Sequence, residues 1–240
     1  MTDNPIAIDK AGRALLRMRK YTSDVPAYLE EVYSWAYLSP RNVALLDRPW
    51  VVSAILWGNY SKLLRATLAE VRPGERVLQP ACVYGDFSPR LADHVGVHGR
   101  LDVADVAPLQ VANCRRKLKP FPQARACVRN ATDLGGDYDA VCCFFLLHEL
   151  PDAYKRKVVD ALLDSVGPGG RVIFVDYHRP HGMHPLKLAM SLVFETLEPF
   201  AKVLWSREIR AFASRPERFV WSKQTYFAGM YQKTVAHRRV

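Results

Sequence analysis

Residues 76–105 read RVLQPACVYGDFSPRLADHVGVHGRLDVAD. Arg76 to Ala81 is a short apolar run suited to a strand. Ser88 to Val95 has helical spacing, with Ser88 and Pro89 in the cap and first-turn positions. Arg100 to Asp105 returns to a strand. Strand, helix and strand at this spacing predict a parallel pair joined by a crossover helix.

Downstream the alternation continues. Leu109 to Leu118 reads as a basic amphipathic helix and Ala124 to Arg129 as a weaker strand. Asp139 to Leu147 is the strongest strand signal. Asp152 to Val166 reads as a helix closed by Gly167-Pro168-Gly169-Gly170, and Arg171 to Tyr177 as another strand. The pattern predicts an α/β fold, a mostly parallel sheet with helices on both faces. Residues 186–205 form an apolar helical segment that Pro199 should kink or end. Arg218 to His237 carries two alternating runs around Ala228-Gly229, the signature of a terminal strand pair. Upstream, Tyr28 to Leu38 and Val51 to Val71 have helical spacing. Three regions follow: an N-terminal helical lid or membrane-contact segment (1–70), the core (71–180), and a substrate- or membrane-facing helix with terminal strands (181–240).

Composition limits the function. The chain has 240 residues, 34 Lys+Arg against 24 Asp+Glu, and 49% apolar residues, which excludes a disordered or low-complexity protein. No apolar run reaches the roughly 18 residues of a membrane span. The N-terminus lacks a basic-then-apolar leader, so the expected location is cytoplasmic. Cys82, Cys114, Cys127, Cys142 and Cys143 contain no CxxC pair, which argues for reduced thiols. The net charge of +10 fits a solvated surface, an anionic membrane face or a nucleic acid. No stacking-aromatic motif supports the last, and no nucleic-acid partner is expected.

In an open parallel sheet, ligands sit at the carboxyl ends of the strands. Gln79 to Asp86 follows the first strand. Asp105 ends the second, where its carboxylate can accept from two ribose hydroxyls. Asn130-Ala131-Thr132-Asp133 follows the third, where a polar side chain can meet an adenine amine. With Phe144 to Asp152 (FFLLHELPD) and Gly167 to Asp176 (GPGGRVIFVD), this order resembles the class I S-adenosylmethionine-dependent methyltransferases. The resemblance implies a Rossmann-like fold and cofactor contacts from Gln79, Ala81, Tyr84, Gly85, Asp86, Asp105, Val106, Asn130, Ala131, Thr132 and Phe145. It also exposes a departure. That family has an acid and then three glycines at alternate positions; here those positions hold Gln79, Ala81, Val83 and Gly85. Ala81 and Val83 should push the ligand outward, and Gln79 removes a negative charge.

A narrower resemblance covers about Tyr28 to the C-terminus. ILWGNYSKL, VYGDFSPRLA, RLDVADVAPLQVANCRRKL, CFFLLHELPD, VDYHRPHGMHPL and LEPFAKVLW together look like the rhodoquinone biosynthesis proteins. That family implies replacement of a ubiquinone ring methoxy by an amino group, S-adenosylmethionine as co-substrate and amino donor, and manganese. A conventional S-adenosylmethionine-dependent methyltransferase of a quinone or other lipid is the alternative. A non-catalytic RNA-binding relative is a third reading. A nucleophilic amine must be neutral, and a nearby carboxylate favours its ammonium form; Gln79 in place of an acid suits amination. Tyr84, His148 and Asp176 are the catalytic candidates, and His148, Glu149, Asp176 and His178 the metal candidates, since hard divalent ions take carboxylates and imidazole. Glu149 can instead cap the following helix. The prenyl tail requires access at the bilayer, so the 186–205 helix and Trp50, Trp57 and Tyr60 either contact the anionic inner membrane surface or cover the site as a lid.

Overall fold

The computed structural model describes residues 39–239 together with Pro26, Val32 and Tyr33. The expected helix over 28–38 lies outside the described residues except at Val32 and Tyr33. Three short helices open the described chain: α1 (Pro40–Leu46), α2 (Pro49–Ile55) and α3 (Tyr60–Leu68). Prolines open the first two, where the missing N–H costs nothing. The continuous helix expected from Val51 to Val71 is instead broken at Trp57 and Gly58, both at positive φ (50° and 76°). Helical spacing persists on both sides of the break, so periodicity alone does not reveal it.

The strands are β1 (Arg76–Gln79), β2 (Arg100–Asp105), β3 (Ala124–Val128), β4 (Tyr138–Phe144), β5 (Val166–Tyr177), β6 (Phe219–Tyr226) and β7 (Tyr231–Arg238). They form one seven-stranded sheet in the order β3-β2-β1-β4-β5-β7-β6. The first five run parallel. β7 is antiparallel to β5 and to β6, and Phe227, Ala228 and Gly229 turn the hairpin at positive φ. Chain order reverses between β1 and β4, so ligand access is expected at their carboxyl ends.

Between the strands run α4 (Phe87–Val95), α5 (Pro108–Leu118), α6 (Asp152–Asp164) and α7 (Lys187–Thr196). Period-two burial puts Ala140, Cys142 and Phe144 on one sheet face and Val141 and Cys143 on the other. Both cysteines are thereby buried, and all five are free thiols. The glycine-rich 167–170 segment closes no loop. It lies within β5, where the register against β4 shifts between Tyr138 and Ala140. The apolar 186–205 segment ends as a helix at Thr196, ahead of Pro199, and resumes as a short 3-10 turn over Lys202–Trp205. Tyr60, expected at a membrane or lid surface, is buried against Phe144.

Candidate functional site

A cavity of about 310 Å³ opens at the carboxyl edge of the sheet. Its floor comes from the ends of β1, β2, β4 and β5, and its roof from α2 and α7. Ala81, Tyr84, Asp105, Val106, Asn130, Ala131, Phe145, His148 and Glu149 line it. Gln79, Gly85, Asp86, Thr132, Asp176 and His178 are not among the lining residues.

Asp105 anchors one half. Its Oδ1 accepts the Ala107 N–H and its Oδ2 the Cys82 N–H, both at 2.8 Å. A carboxylate oxygen has capacity for a second donor, so both oxygens remain competent for a pair of hydroxyls. Burial raises its pKa to about 6, against the lowering effect of the two backbone donors. Asn130 lines the same half, its Oδ1 accepting from Thr132 N at 3.0 Å and Thr132 Oγ1 at 2.9 Å. Asp133 is exposed. A carboxylate at the end of β2 beside a polar loop after β3 fits a ribose and a base.

The loop after β1 takes an unusual form. Gln79 is fully buried; its Nε2 donates to Ala81 O at 2.6 Å, while its Oε1 has no partner. Tyr84 Oη accepts from Gln110 Nε2 at 2.8 Å, and burial raises the phenol pKa. Gly85 adopts φ 79°, and a Cβ there would meet Val52 Cγ2 at 3.3 Å. α4 starts at Phe87, one residue before the expected Ser88, with Asp86 rather than Ser88 at the cap position; Asp86 Oδ1 accepts from Tyr60 Oη at 2.7 Å.

A polar cluster occupies the opposite half. Asp176, at the end of β5, is almost fully buried. Its Oδ2 accepts from Leu147 N (2.9 Å) and His148 N (3.3 Å). Its Oδ1 accepts from Tyr177 N (2.8 Å) and lies 3.0 Å from His148 Nδ1. The imidazole's Nε2 is then left toward Glu149 (3.8 Å) and Glu198 (4.0 Å). Burial alone would lower the His148 pKa, but Asp176, Glu198 and Glu149 outweigh it and raise it to about 9. Glu198 Oε2 accepts from Tyr33 Oη at 2.8 Å, and burial raises its pKa. Phe145, at φ 51°, turns the chain out of β4, and its ring stands edge-on to His148 and Tyr177. Such non-glycine strain is characteristic of functional sites.

His178 is not part of this cluster. Its Nδ1 lies 2.9 Å from Gly229 O and its Nε2 3.3 Å from Lys223 Nζ. Asp176 has both oxygens committed. Among the described residues, no group of three or more His, Cys, Asp or Glu side chains is arranged to hold a metal ion. The donor set does not fit manganese. Sequence reading gives Tyr33 and Glu198 no role, although Glu198 lies in the LEPFAKVLW stretch; only the fold brings them together beside His148.

The wall between α2 and α7 is apolar, with Val52, Ile55, Leu56, Val193 and Leu197. Trp50 (64% exposed), Leu188 (85%) and Leu192 (62%) stand outward on these same helices. No helix among the described residues is long and apolar enough to cross a membrane.

Residues 77–170 match a family described as a methyltransferase domain. The chain is 28% identical over 109 residues to the demethylmenaquinone methyltransferase of Lysinibacillus sphaericus, covering 44% of this chain and 46% of that protein. It is 28% identical over 131 residues to the ubiquinone/menaquinone biosynthesis C-methyltransferase UbiE of Idiomarina loihiensis, covering 52% of this chain and 50% of that protein. The chain thus spans about half the length of these relatives. The solved N-methyltransferase NodS of Bradyrhizobium japonicum, in complex with S-adenosyl-L-homocysteine, superposes with a TM-score of 0.57 at 15% identity, covering 89% of this chain and 99% of that one. The strand order, the antiparallel β7 and these likenesses establish the architecture as the Rossmann-like fold of class I S-adenosylmethionine-dependent methyltransferases.

Proposed function

We propose that this protein binds S-adenosylmethionine in the cavity beside Asp105 and acts on the ring of a membrane quinone, replacing a methoxy group of ubiquinone with an amino group to give rhodoquinone. The observation that carries this reading is the rebuilt loop after β1. A neutral Gln79, locked onto Ala81 O, stands where the fold ordinarily keeps an acid. A carboxylate there favours an ammonium; without it the amine is more readily neutral and nucleophilic. The apolar wall between α2 and α7 suits a quinone ring and the first units of its tail. S-adenosylmethionine supplies the amino group when bound.

The protein's own groups serve the acceptor. At neutral pH His148 is an imidazolium, fixed by Asp176 through Nδ1. Its Nε2–H can donate to a quinone oxygen, polarising the ring toward attack by the donor amine, and supply the proton with which the methoxy group leaves as methanol. The nitrogen is then freed from the donor when the quinone accepts the Cα–H electron pair, becoming the quinol, and hydrolysis of the resulting imine leaves the ring amine and a keto acid. Phe145 and Tyr177 wall the ring in and exclude water. The apolar side chains on α2 and α7 bring the mouth of the cavity to the anionic inner face of the membrane, where the substrate resides.

Methyl transfer to a quinone ring is the second reading, favoured by the relatives named above. One experiment separates the two. The full chain is incubated with ubiquinone and S-adenosylmethionine carrying heavy nitrogen at its α-amine, with and without manganese. Heavy nitrogen in the quinone supports amination, and a product heavier by one methyl group supports the second reading. An unchanged quinone under both conditions would falsify both.

A further inference from the structure

The cofactor loop keeps one of the three glycines, Gly85, and its shape is imposed from outside. Asp47, which directly follows α1, reaches it: Oδ1 accepts from Gly85 N at 3.0 Å. The same oxygen accepts from Lys117 Nζ at 2.6 Å, and Oδ2 from Asn113 Nδ2 at 2.9 Å. Lys117, on α5, also donates to Val83 O (3.1 Å) and Gly85 O (2.9 Å). Tyr60 adds its bond to Asp86 from α3. The Asp47 and Lys117 side chains are 9% and 12% exposed, so this ion pair is shielded from solvent. The helices that hold the loop also carry Leu46, Val52, Ile55 and Leu56, the apolar roof of the cavity.

We infer that Asp47, with Lys117, is a positioning residue that sets the cofactor loop and couples nucleoside binding to closure of the apolar half of the cavity. The inference rests on the reading that the nucleoside binds beside Asp105. An ion pair that touches three loop groups cannot keep its geometry if α1–α3 move away. Whatever orders those helices therefore pre-forms the loop, and each ligand should strengthen the other by reciprocal linkage.

The test measures S-adenosyl-L-homocysteine affinity by calorimetry, with and without a short-chain ubiquinone, in the wild-type protein, Asp47→Asn and Lys117→Met. In the wild type the quinone should tighten nucleoside binding several-fold. Asp47→Asn keeps an acceptor for Gly85 N but loses the charge facing Lys117. It should weaken nucleoside binding about tenfold or more and abolish the enhancement by quinone, and its KM for S-adenosylmethionine should rise more than its kcat falls. If Asp47→Asn does not fold, Lys117→Met gives the same readout. Wild-type binding with both variants equal to it, or with no coupling between the ligands, overturns this inference alone. A wild type that binds no nucleoside overturns the functional reading as well.

Discussion

Asp176 Oδ1 lies 3.0 Å from His148 Nδ1, and the same carboxylate accepts three backbone N–H groups, from Leu147, His148 and Tyr177. It fixes at once the ring and the turn that carries the ring. Asp176→Asn turns one acceptor into a donor inside this nest and removes a charge from a buried pair, which typically costs about 3–5 kcal/mol. The melting temperature should fall and the His148 pKa, about 9 in the native protein, should drop. Because folding raises that pKa above its ordinary 6.5, the contribution to stability is full below 6.5 and is lost as pH rises through about 9. The variant should lose most of this alkaline limb. Thermal unfolding across that window checks it, and an unaltered pH dependence would contradict the assignment.

Asp105 predicts a second pH effect of opposite sense. In the proposed function ribose hydroxyls would donate to its carboxylate form, and burial has raised its pKa to about 6. Nucleoside binding should therefore release a proton near pH 6 and weaken as pH falls below it. The unliganded fold behaves conversely. A carboxyl whose pKa rises on folding opposes folding above about 6, and this penalty is relieved as pH falls toward its ordinary 3.8. Calorimetric titrations in buffers of different ionisation enthalpy would report the proton directly; affinity independent of pH would exclude this role.

Gln79→Glu tests the neutral loop. Glu would place a carboxylate oxygen against Ala81 O, where Nε2 now donates at 2.6 Å. Loss of that bond at a fully buried position should cost about 1–3 kcal/mol. If the fold survives, amination should decline at neutral pH and recover partly in more alkaline buffer, since the new charge holds the amine protonated. A variant with the wild-type pH–rate profile would rule out the electrostatic role of Gln79.

The exposed apolar side chains of α7 make a surface prediction. Leu188→Asp with Leu192→Asp should leave stability within about 0.5 kcal/mol, as surface changes usually do. Binding to anionic vesicles should fall several-fold, along with turnover of long-tailed quinone but not of a short-tailed analogue. Sedimentation with vesicles of acidic and neutral lipid measures the first effect. Equal loss on both quinones would place these leucines in folding rather than in lipid contact.

The parallel core was legible because each strand and helix announces itself locally. Arg100–Asp105 was read to the residue, and Asp105 lines the cavity at the carboxyl end of that strand. The rest depends on contacts that spacing does not encode. Trp57 adopts a left-handed conformation with no glycine at its own position to signal it. Gly167 to Gly170 reads as a loop in composition, yet β5 absorbs it next to a register shift. Glu198 meets His148 across fifty positions of sequence through a segment ordered by Lys155, whose ammonium donates to Leu150 O and to Phe200 O. Asp47 falls in no stretch that the sequence reading singled out; its contact with Lys117 exists only because the fold stands α5 beside the loop after β1.

The two walls of the cavity come from different stretches of the chain. Asp105, Asn130 and Phe145 belong to the 77–170 segment that matches the methyltransferase domain, whereas Tyr33, Ile55, Val193 and Glu198 lie outside it. His148 and Glu149 also lie in the matched segment, so the flanking stretches contribute the apolar wall and Glu198 rather than a whole half of the cavity. Exchanging those stretches would therefore reshape that wall while leaving Asp105 and His148 in place.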